Sequence, residues 1–336
     1  MRVRAEVLLP SLAALAALSA LGSLALGGAA LDWSAVWEGA RADAPNLHWL
    51  IFWELRVPRT ALALLVGAAL GVSGALLQGW TRNPLAEPGL LGTSACAALG
   101  SVLAIHSGLY AALALALPLA GFAGAGLGAL VMLVFVGRMS LLGLILAGIG
   151  LQSLAGALLA LALNLAPNPH SALEIAFWLL GSVSERSHAH VGLVLPFWLA
   201  GMLLALRQSR RLDALTLGEE TAFSLGVPLA RTHWQILLAV ALTVGPAVSV
   251  AGAIGFIGLV VPHILRLVVG ERPSRLLGLS LVGGALLLLW ADMAVRLVPS
   301  HAELKLGVMT SLIGCPIFFW MLWRLRARAW GHDVAG

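Results

Sequence analysis

Arg56-Val57-Pro58-Arg59-Thr60 stands before an apolar run, and Asn83-Pro84-Leu85-Ala86-Glu87-Pro88-Gly89-Leu90-Leu91-Gly92 follows that run almost at once. The run itself, residues 61–80, reads ALALLVGAALGVSGALLQGW and contains no charged side chain. Its length matches the ~20 apolar residues that a helix needs to cross a ~30 Å hydrocarbon core. The stretch therefore predicts a transmembrane helix with two arginines at one end and a polar, proline-broken loop at the other.

The rest of the chain repeats this pattern of apolar runs. Of its 336 residues, 60% are hydrophobic and 10% are charged, and the mean hydropathy is +0.97. A soluble protein of this length needs more polar residues to cover its surface. The composition predicts an all-α polytopic membrane protein with one transmembrane domain over residues 1–336.

Breaks between the runs delimit about ten predicted transmembrane helices. They cover residues 7–30, 60–80, 92–106, 109–136, 140–165, 191–206, 233–252, 256–269, 276–298 and 306–323. The third and fourth are weakly separated, as are the seventh and eighth, and the eighth is short and contains Pro262. An even number of spans places both termini on one side of the membrane.

The positions of the cations agree with a cytoplasmic N-terminus. Fourteen would then lie inside and six outside, as the excess of Lys and Arg in cytoplasmic loops requires. The inner ones are Arg2, Arg4, Arg82, Arg138, Arg207, Arg210, Arg211, Arg231, Arg266, Arg272, Arg275, Arg324, Arg326 and Arg328. The outer ones are Arg41, Arg56, Arg59, Arg186, Arg296 and Lys305. The prediction is a multi-pass protein with both termini in the cytoplasm, whose outer arginines need a specific reason.

Two connections are long enough to hold structure of their own. The outer one contains a half-span apolar segment at helical spacing, which predicts a short helix at about residues 171–181. The inner one, residues 207–233, predicts one or two short amphipathic helices, capped at Asp213 and stopped by Gly226 and Pro228. From the residues alone, the inner segment is equally compatible with a docking platform and with a solvated interfacial loop.

Small residues are dense in two of the predicted spans. The second contains Gly67, Gly71 and Gly74, and the fourth contains Gly121, Gly124, Gly126 and Gly128. Helices in lipid associate where small residues let their backbones approach closely. These faces are predicted to be packing seams.

Several classes of function lack the residues they need. Lys305 is the only lysine and Leu306 follows it, so the chain has no Gly-x-x-x-x-Gly-Lys-Ser/Thr loop, and ATP would have to bind another chain. No basic, aromatic-interleaved patch for nucleic acid is present. No catalytic or metal-ligand motif is present either, so no catalytic residue, metal site or cofactor is predicted. An ion-coupled secondary transporter remains as the alternative, although such proteins usually bury charges within their spans.

The motifs in chain order resemble those of the iron-chelate and vitamin B12 permeases, the FecCD-type family of ABC importers. The resemblance runs from about Glu54 to the C-terminal span and is carried by five stretches. These are Glu54–Thr60, Gly67–Gln78, Asn83–Gly92, Leu217–Pro228 and Gly252–Arg266. Within the family, Glu87-Pro88-Gly89 and the eighth-span motif lean toward the vitamin B12 branch.

This resemblance implies a type II ABC importer permease of the bacterial cytoplasmic (inner) membrane. Such a permease pairs with a second copy of itself, with two cytoplasmic ATP-binding subunits and with a soluble periplasmic substrate-binding protein. The cargo would be a ferric siderophore, haem or cobalamin, and the sequence does not choose among them. Apart from the lipid bilayer, no further partner is implied.

The resemblance also assigns roles to individual residues. Arg56, Arg59 and Arg296 match positions that hold glutamates of the binding protein, for which guanidinium forks are well suited. Ordinary snorkelling of these arginines at the interface is the alternative. The inner segment resembles coupling helices that face the ATPase; its residues are Leu217, Gly218, Glu219, Glu220, Phe223 and Gly226.

The fifth span is expected to line the translocation path. Its polar members are Gln152, Ser153 and Asn164, each of which could equally satisfy a neighbouring helix. Near its inner end, Ser140-Leu141-Leu142-Gly143 stands where the vitamin B12 branch has small polar gate residues. Leu141 and Leu142 therefore suggest an apolar plug. A further expectation is a pair between Asp292 and Arg296, one helical turn apart. The outer-loop histidines His188 and His190 could contact an iron chelate or haem, but exposed loop histidines usually have no such role.

Overall fold

The computed structural model describes residues 5–42, 44–113, 115–135, 141–298 and 304–333, and these are almost entirely helical. Arg2, Arg4, Arg138 and Ser140 of the sequence predictions lie outside the described residues. The first half of the chain contains α1 (Ala5–Ala25), α2 (Trp33–Gly39), α3 (Leu47–Leu50), α4 (Val57–Thr81), α5 (Thr93–His106), α6 (Leu109–Ala112), α7 (Ala116–Phe135) and α8 (Leu141–Asn164). The second half contains α9 (Pro169–Leu179), α10 (His188–Arg207), α11 (Ser209–Leu215), α12 (Glu219–Ser224), α13 (Leu229–Ala251), α14 (Ile257–Val269), α15 (Pro273–Leu297) and α16 (Leu306–Asp333).

Eight helical segments among the described residues are long and apolar enough to cross a membrane. They are Glu6–Ala25, Leu47–Thr81, Ala116–Phe135, Leu141–Asn164, His188–Arg207, Leu229–Ala251, Pro273–Leu297 and Leu306–Arg324. α5 and α14 are shorter apolar helices of 14 and 13 residues at the predicted third and eighth spans. The all-α membrane fold is confirmed, whereas the exact number of ten spans is not established.

The second span begins earlier than predicted, because the helix is continuous from Leu47 to Thr81. A π-helical turn, Ile51–Arg56, joins α3 to α4, and its last bond runs from the Val57 N–H to the Phe52 carbonyl. Pro58 follows directly, inside this continuous helix, and has no backbone N–H to donate to the preceding turn. Arg56 and Pro58 are both buried, so the arginine motif lies within the helix and does not mark its boundary.

Most of α4, α13 and α15 is buried, and these helices form the centre of the bundle. α4 and α15 cross so closely that a Cβ added to Gly67 would lie 2.3 Å from the Gly284 carbonyl oxygen. A Cβ on Gly74 would lie 1.8 Å from the Gly258 carbonyl of α14. The predicted seam on the second span is therefore a close backbone contact with two neighbouring helices.

α7 provides a second close contact, with α5 and α13. Added Cβ atoms on Gly121 and Gly124 would lie 2.3 Å from Ser101 Oγ and 2.2 Å from the Cys96 carbonyl, respectively. Gly128 is also close to Cys96, whereas Gly126 has open space beside it and does not belong to the seam. The seam on α7 thus follows one helix face.

The two long connections contain three short helices. α9 lies two residues earlier than the predicted 171–181, because the Asn168 side chain caps its first turn by accepting from the Ser171 N–H. The inner connection forms α11 and α12. The prediction that Asp213 caps a helix here is wrong: α11 begins at Ser209, and Asp213 lies inside it.

Candidate docking, coupling and path surfaces

Arg59 and Arg296 converge on one carboxylate at the end of the bundle that is predicted to face outward, here called the outer end. Arg59 Nε donates to Asp292 Oδ1 at 2.9 Å, and Arg296 Nη2 donates to Asp292 Oδ2. Asp292 is 1% exposed, and the Arg59 and Arg296 side chains are 18% and 6% exposed. The expected pair one turn apart on α15 is present, and Arg59 extends it to α4.

Arg56 lies beside this pair and is 5% exposed. Its guanidinium donates to three carbonyl oxygens at and beyond the end of α1: Leu24 at 3.0 Å, Ala25 at 2.6 Å, and Ala29. The last carbonyls of a helix have no partner within the helix and attract cations. Arg56 therefore satisfies the end of α1 and does not extend toward solvent.

The three arginines border a hollow of about 440 Å³ at the outer end. Residues 26–29, which follow α1, form one wall of the hollow, and Val295 and Val298 also line it. Three guanidiniums against one carboxylate leave a net charge of +2 (3 − 1) around this hollow. The hollow can accept an acidic group, and Arg59 is the most exposed of its arginines.

An aromatic cluster next to the hollow was not predicted from the sequence. Trp49 and Trp53 stack at 5.4 Å, one helical turn apart, and the His188 ring lies 4.9 Å from that of Trp53. His188 Nε2 also lies 2.7 Å from the Trp53 carbonyl oxygen. His190 bonds Ser187 at the start of α10. The two histidines therefore lie in the first turn of a helix and have structural partners.

The inner end of the bundle carries α11 and α12. It lies about 37 Å from the arginines, because each of the 25 residues of α4 adds about 1.5 Å of length. Phe223 on α12 is 68% exposed and Leu217 in the preceding turn is 63% exposed. Glu220 is exposed and Glu219 is half-buried, both in the first turn of α12, where the helix dipole favours acidic residues. Fully buried Ala222 anchors the helix to the bundle. An exposed phenylalanine one helical turn from two carboxylates is a surface suited to a protein partner.

Glycines fix the shape of this inner segment. Gly218 has φ +105° and ψ 154° immediately before α12, a conformation that is nearly restricted to glycine. Gly226 has φ +83° after it. Both predicted coupling glycines thus bound α12.

Asp213 ties the inner segment to the start of α15. Its carboxylate accepts from Arg272 Nε and from the Ser274 N–H, each at 2.9 Å. Burial alone would raise the pKa of Asp213, but these hydrogen bonds and the Arg272 charge hold the pKa below its usual range. The tie helps to fix the orientation of α11 and α12 relative to the core.

α8, the fifth predicted span, is mostly exposed along its length. Gln152, Ser153 and Asn164 all lie on the surface of the single chain. At its inner end, Leu142 is 67% exposed and Leu141 packs partly against the core. A helix that is apolar on most sides and left uncovered faces lipid or another apolar surface.

The loop after α4 packs against the inner half of α8. Asn83 Oδ1 accepts from the Leu85 N–H at 2.9 Å, and Gly92 turns the chain into α5 with φ +72°. A Cβ on Gly92 would lie 3.0 Å from the Gly148 carbonyl of α8. Burial raises the pKa of Glu87 in this loop. The contacts of Asn83 and Gly92 thus shape this loop and pack it against α8.

No group of three or more His, Cys, Asp or Glu side chains that could hold a metal ion occurs among the described residues. Cys96 and Cys315 are free and half-buried. A hollow of about 650 Å³ lies at the inner end beside Arg82, Arg266 and Asp213.

Comparison with known proteins extends these observations. A family model described as the FecCD transport family matches residues 15–324. The hemin transport system permease protein HmuU of Yersinia pestis is 38% identical over 98% of this chain and 99% of its own length. The Fe(3+) dicitrate transport system permease protein FecD of Escherichia coli is 40% identical, over 91% of this chain and 95% of its own.

Two further similarities cover most of the chain. The vitamin B12 import system permease protein BtuC of Vibrio cholerae is 40% identical, over 86% of this chain and 87% of its own. A solved structure of a metal-chelate type ABC transporter in an inward-facing conformation superposes with a TM-score of 0.83 and 31% identity, covering 94% of this chain and 98% of that one.

Proposed function

The chain belongs to the FecCD transport family, and we propose that it is the membrane-spanning permease subunit of a binding-protein-dependent ABC importer. The observation that carries this proposal is the presence of two different polar surfaces at opposite ends of one apolar bundle. The outer end has a guanidinium cluster, and the inner end has two short helices with an exposed phenylalanine. One surface suits an acidic partner outside, and the other suits a partner inside.

The inner partner is a pair of cytoplasmic ATP-binding subunits. The sequence has no phosphate-binding loop, so the energy of ATP has to reach the spans through a protein contact. Phe223 and Leu217 project from short helices that Asp213 ties to α15. A movement of α12 caused by the ATPase would therefore be transmitted to α15 and the other core helices.

The outer partner is a soluble periplasmic binding protein that presents carboxylates. Arg59 lies at the lip of the 440 Å³ hollow and is expected to meet such a carboxylate first. Arg56 is largely buried and already bonded to α1, so its contribution to docking would be to hold the wall of the hollow. Arg59 and Arg56 thus both belong to the predicted docking surface, but Arg59 binds the partner and Arg56 supports the hollow.

A second copy of the chain would cover α8. This helix leaves Leu142, Gln152, Ser153 and Asn164 exposed in the single chain. Two copies related by a twofold axis would bring two such faces together, and the space between them would form the path. Leu141 and Leu142 would then close its inner end.

The cargo is a metal chelate of the ferric siderophore, haem or cobalamin class, moved into the cytoplasm across the bacterial inner membrane. Relatives named for hemin, ferric dicitrate and vitamin B12 have nearly equal identities, from 38% to 40%. These identities therefore do not support the B12 branch over the others. Both termini are placed in the cytoplasm by the cation distribution.

An ion-coupled secondary transporter is the alternative, and the buried Asp292 is the observation that could favour it. Carboxylates that couple ions usually lie near the middle of the membrane. Asp292 instead lies five residues from the outer end of α15, between two arginines. The structure therefore favours an energy source outside the chain.

Two measurements test the proposal. The purified chain should not hydrolyse ATP, whereas its complex with the cognate ATPase should. Binding of cobalamin, haemin and ferric siderophores to the cognate binding protein then identifies the cargo. Hydrolysis by the chain alone, at a rate that survives removal of contaminating ATPases, would contradict the assignment.

A further inference from the structure

The carboxylate of Asp292 is shared between two arginines that come from different helices. Arg59 Nε lies 2.9 Å from Oδ1 and 3.3 Å from Oδ2, and Arg296 Nη2 bonds Oδ2. Asp292 is almost completely buried, so both of its oxygens depend on these partners. A buried carboxylate is unfavourable unless it is paired in good geometry, and here both guanidiniums are oriented by the same group.

The same cluster holds the outer end of α1. Arg296 Nη1 donates to the Ser23 carbonyl at 2.9 Å and to the Leu26 carbonyl at 3.3 Å. Arg56 donates to other carbonyls of the same segment, and Ser23 Oγ lies 2.8 Å from Thr60 Oγ1. α1 is otherwise mostly exposed. These bonds therefore link α1, α4 and α15 at the rim of the outer hollow.

We propose that Asp292 is the positioning residue of the outer docking surface. It holds Arg59 and Arg296 in one orientation, and Arg296 and Arg56 in turn hold the wall of the hollow that residues 26–29 form. A partner carboxylate then meets a prearranged set of donors. The inference rests on the proposed docking function.

An opposite role for Asp292 makes the proposal testable. If Asp292 merely neutralised part of the positive charge, Asp292→Asn would raise the net charge of the cluster from +2 to +3 and tighten docking of an acidic partner. If Asp292 positions the arginines, the same variant weakens docking although the surface becomes more positive. The sign of the effect decides between the two roles.

The experiment measures binding-protein association with the full permease–ATPase complex in nanodiscs at low salt. We expect Asp292→Asn to raise the Kd of docking at least about tenfold. The reason is that loss of one partner of a buried charge pair acts mainly on the dissociation rate. The association rate should stay equal or rise, since charge steers encounter. Hydrogen exchange at residues 24–29 should also increase, and Asp292→Glu should restore part of the affinity.

Asp32→Asn is the matched control, because it makes the same change of charge at the outer end, where Asp32 caps α2 and Asn can cap in its place. It should leave docking unchanged. If Asp292→Asn does not fold, Arg59→Lys provides the second test: it keeps the charge but lacks the Nε donor, and it should also lose about tenfold in affinity. Unchanged or tighter docking by either outer variant overturns the proposal.

The failure of this inference can be distinguished from the failure of the docking function. Arg59→Glu tests the function itself. If Arg59→Glu leaves docking intact, the outer arginines do not bind the partner and both ideas fall. If Arg59→Glu abolishes docking while Asp292→Asn tightens it, only the positioning role is wrong.

Discussion

Replacing Phe223 with Asp tests the coupling surface while leaving the fold intact. Phe223 is 68% exposed in the single chain, so its replacement removes few internal contacts. Asp at this position stands three and four residues from Glu220 and Glu219, and such like-charge pairs in a helix cost only about 0.2–0.5 kcal/mol each. The helix should therefore still form, supported by buried Ala222.

The loss in ATPase binding should be much larger. Burying a phenylalanine side chain contributes roughly 1.5–3 kcal/mol, and each 1.4 kcal/mol corresponds to about a tenfold change in Kd. If the ATPase covers Phe223, the variant should bind it at least about tenfold, and up to about a hundredfold, more weakly. The desolvation of the new carboxylate acts in the same direction.

The assay compares ATPase association and ATP hydrolysis for the parent and the variant in nanodiscs. Leu173→Asp is the control, because Leu173 is 56% exposed on α9, in the outer connection. It should leave ATPase binding unchanged. ATPase affinity of Phe223→Asp equal to that of the parent, with an intact dimer, would refute the coupling role of α12.

Three further predictions follow from the other surfaces. Arg59→Glu should weaken binding-protein docking by at least about tenfold, roughly 1.4 kcal/mol, and charge reversal on the partner should restore part of it; docking as tight as that of the parent at low salt would leave Arg59 as an interfacial anchor. Replacing Leu141 and Leu142 together with Ser should raise the leak of small solutes through reconstituted dimers, and an unchanged leak with the dimer intact removes them from the gate. The raised pKa of Glu87 means that the folded state binds more protons than the unfolded state between about pH 4.5 and the raised value, so the contribution of Glu87 to stability falls as pH rises through this window. The thermal unfolding temperature of Glu87→Gln should therefore fall less than that of the parent as pH rises through this window. If the parent and the variant have the same pH profile, burial of the Glu87 carboxyl does not affect stability.

Hydropathy located the spans because a helix that crosses lipid needs about 20 mostly apolar residues. It misplaced the start of the second span, since Arg56 and Arg59 look like residues at a membrane boundary. Their partners are the α1 carbonyls and Asp292, and the latter is 233 residues away from Arg59. No local pattern indicates such a contact. The Asp292–Arg296 pair could be predicted because four residues form one helical turn.

The inner segment shows the same limit. Asp213 precedes an apolar stretch and looked like a helix cap, but its partners Arg272 and Ser274 lie about sixty residues later in the chain. The stop at Gly226 was predicted correctly, because a positive φ favours glycine locally. The docking and coupling roles came from the resemblance, and the structure adds which side chains are exposed to serve them.

ATP-driven uptake is the direct test of the permease function proposed for this chain. The chain would be reconstituted with its ATPase in proteoliposomes, with the binding protein loaded with the chelate it binds best placed on the outer side. We expect chelate accumulation that requires ATP in the compartment of the ATPase and that is lost in Phe223→Asp. Uptake that persists without ATP or without the ATPase, and that follows an imposed proton or sodium gradient, would contradict it.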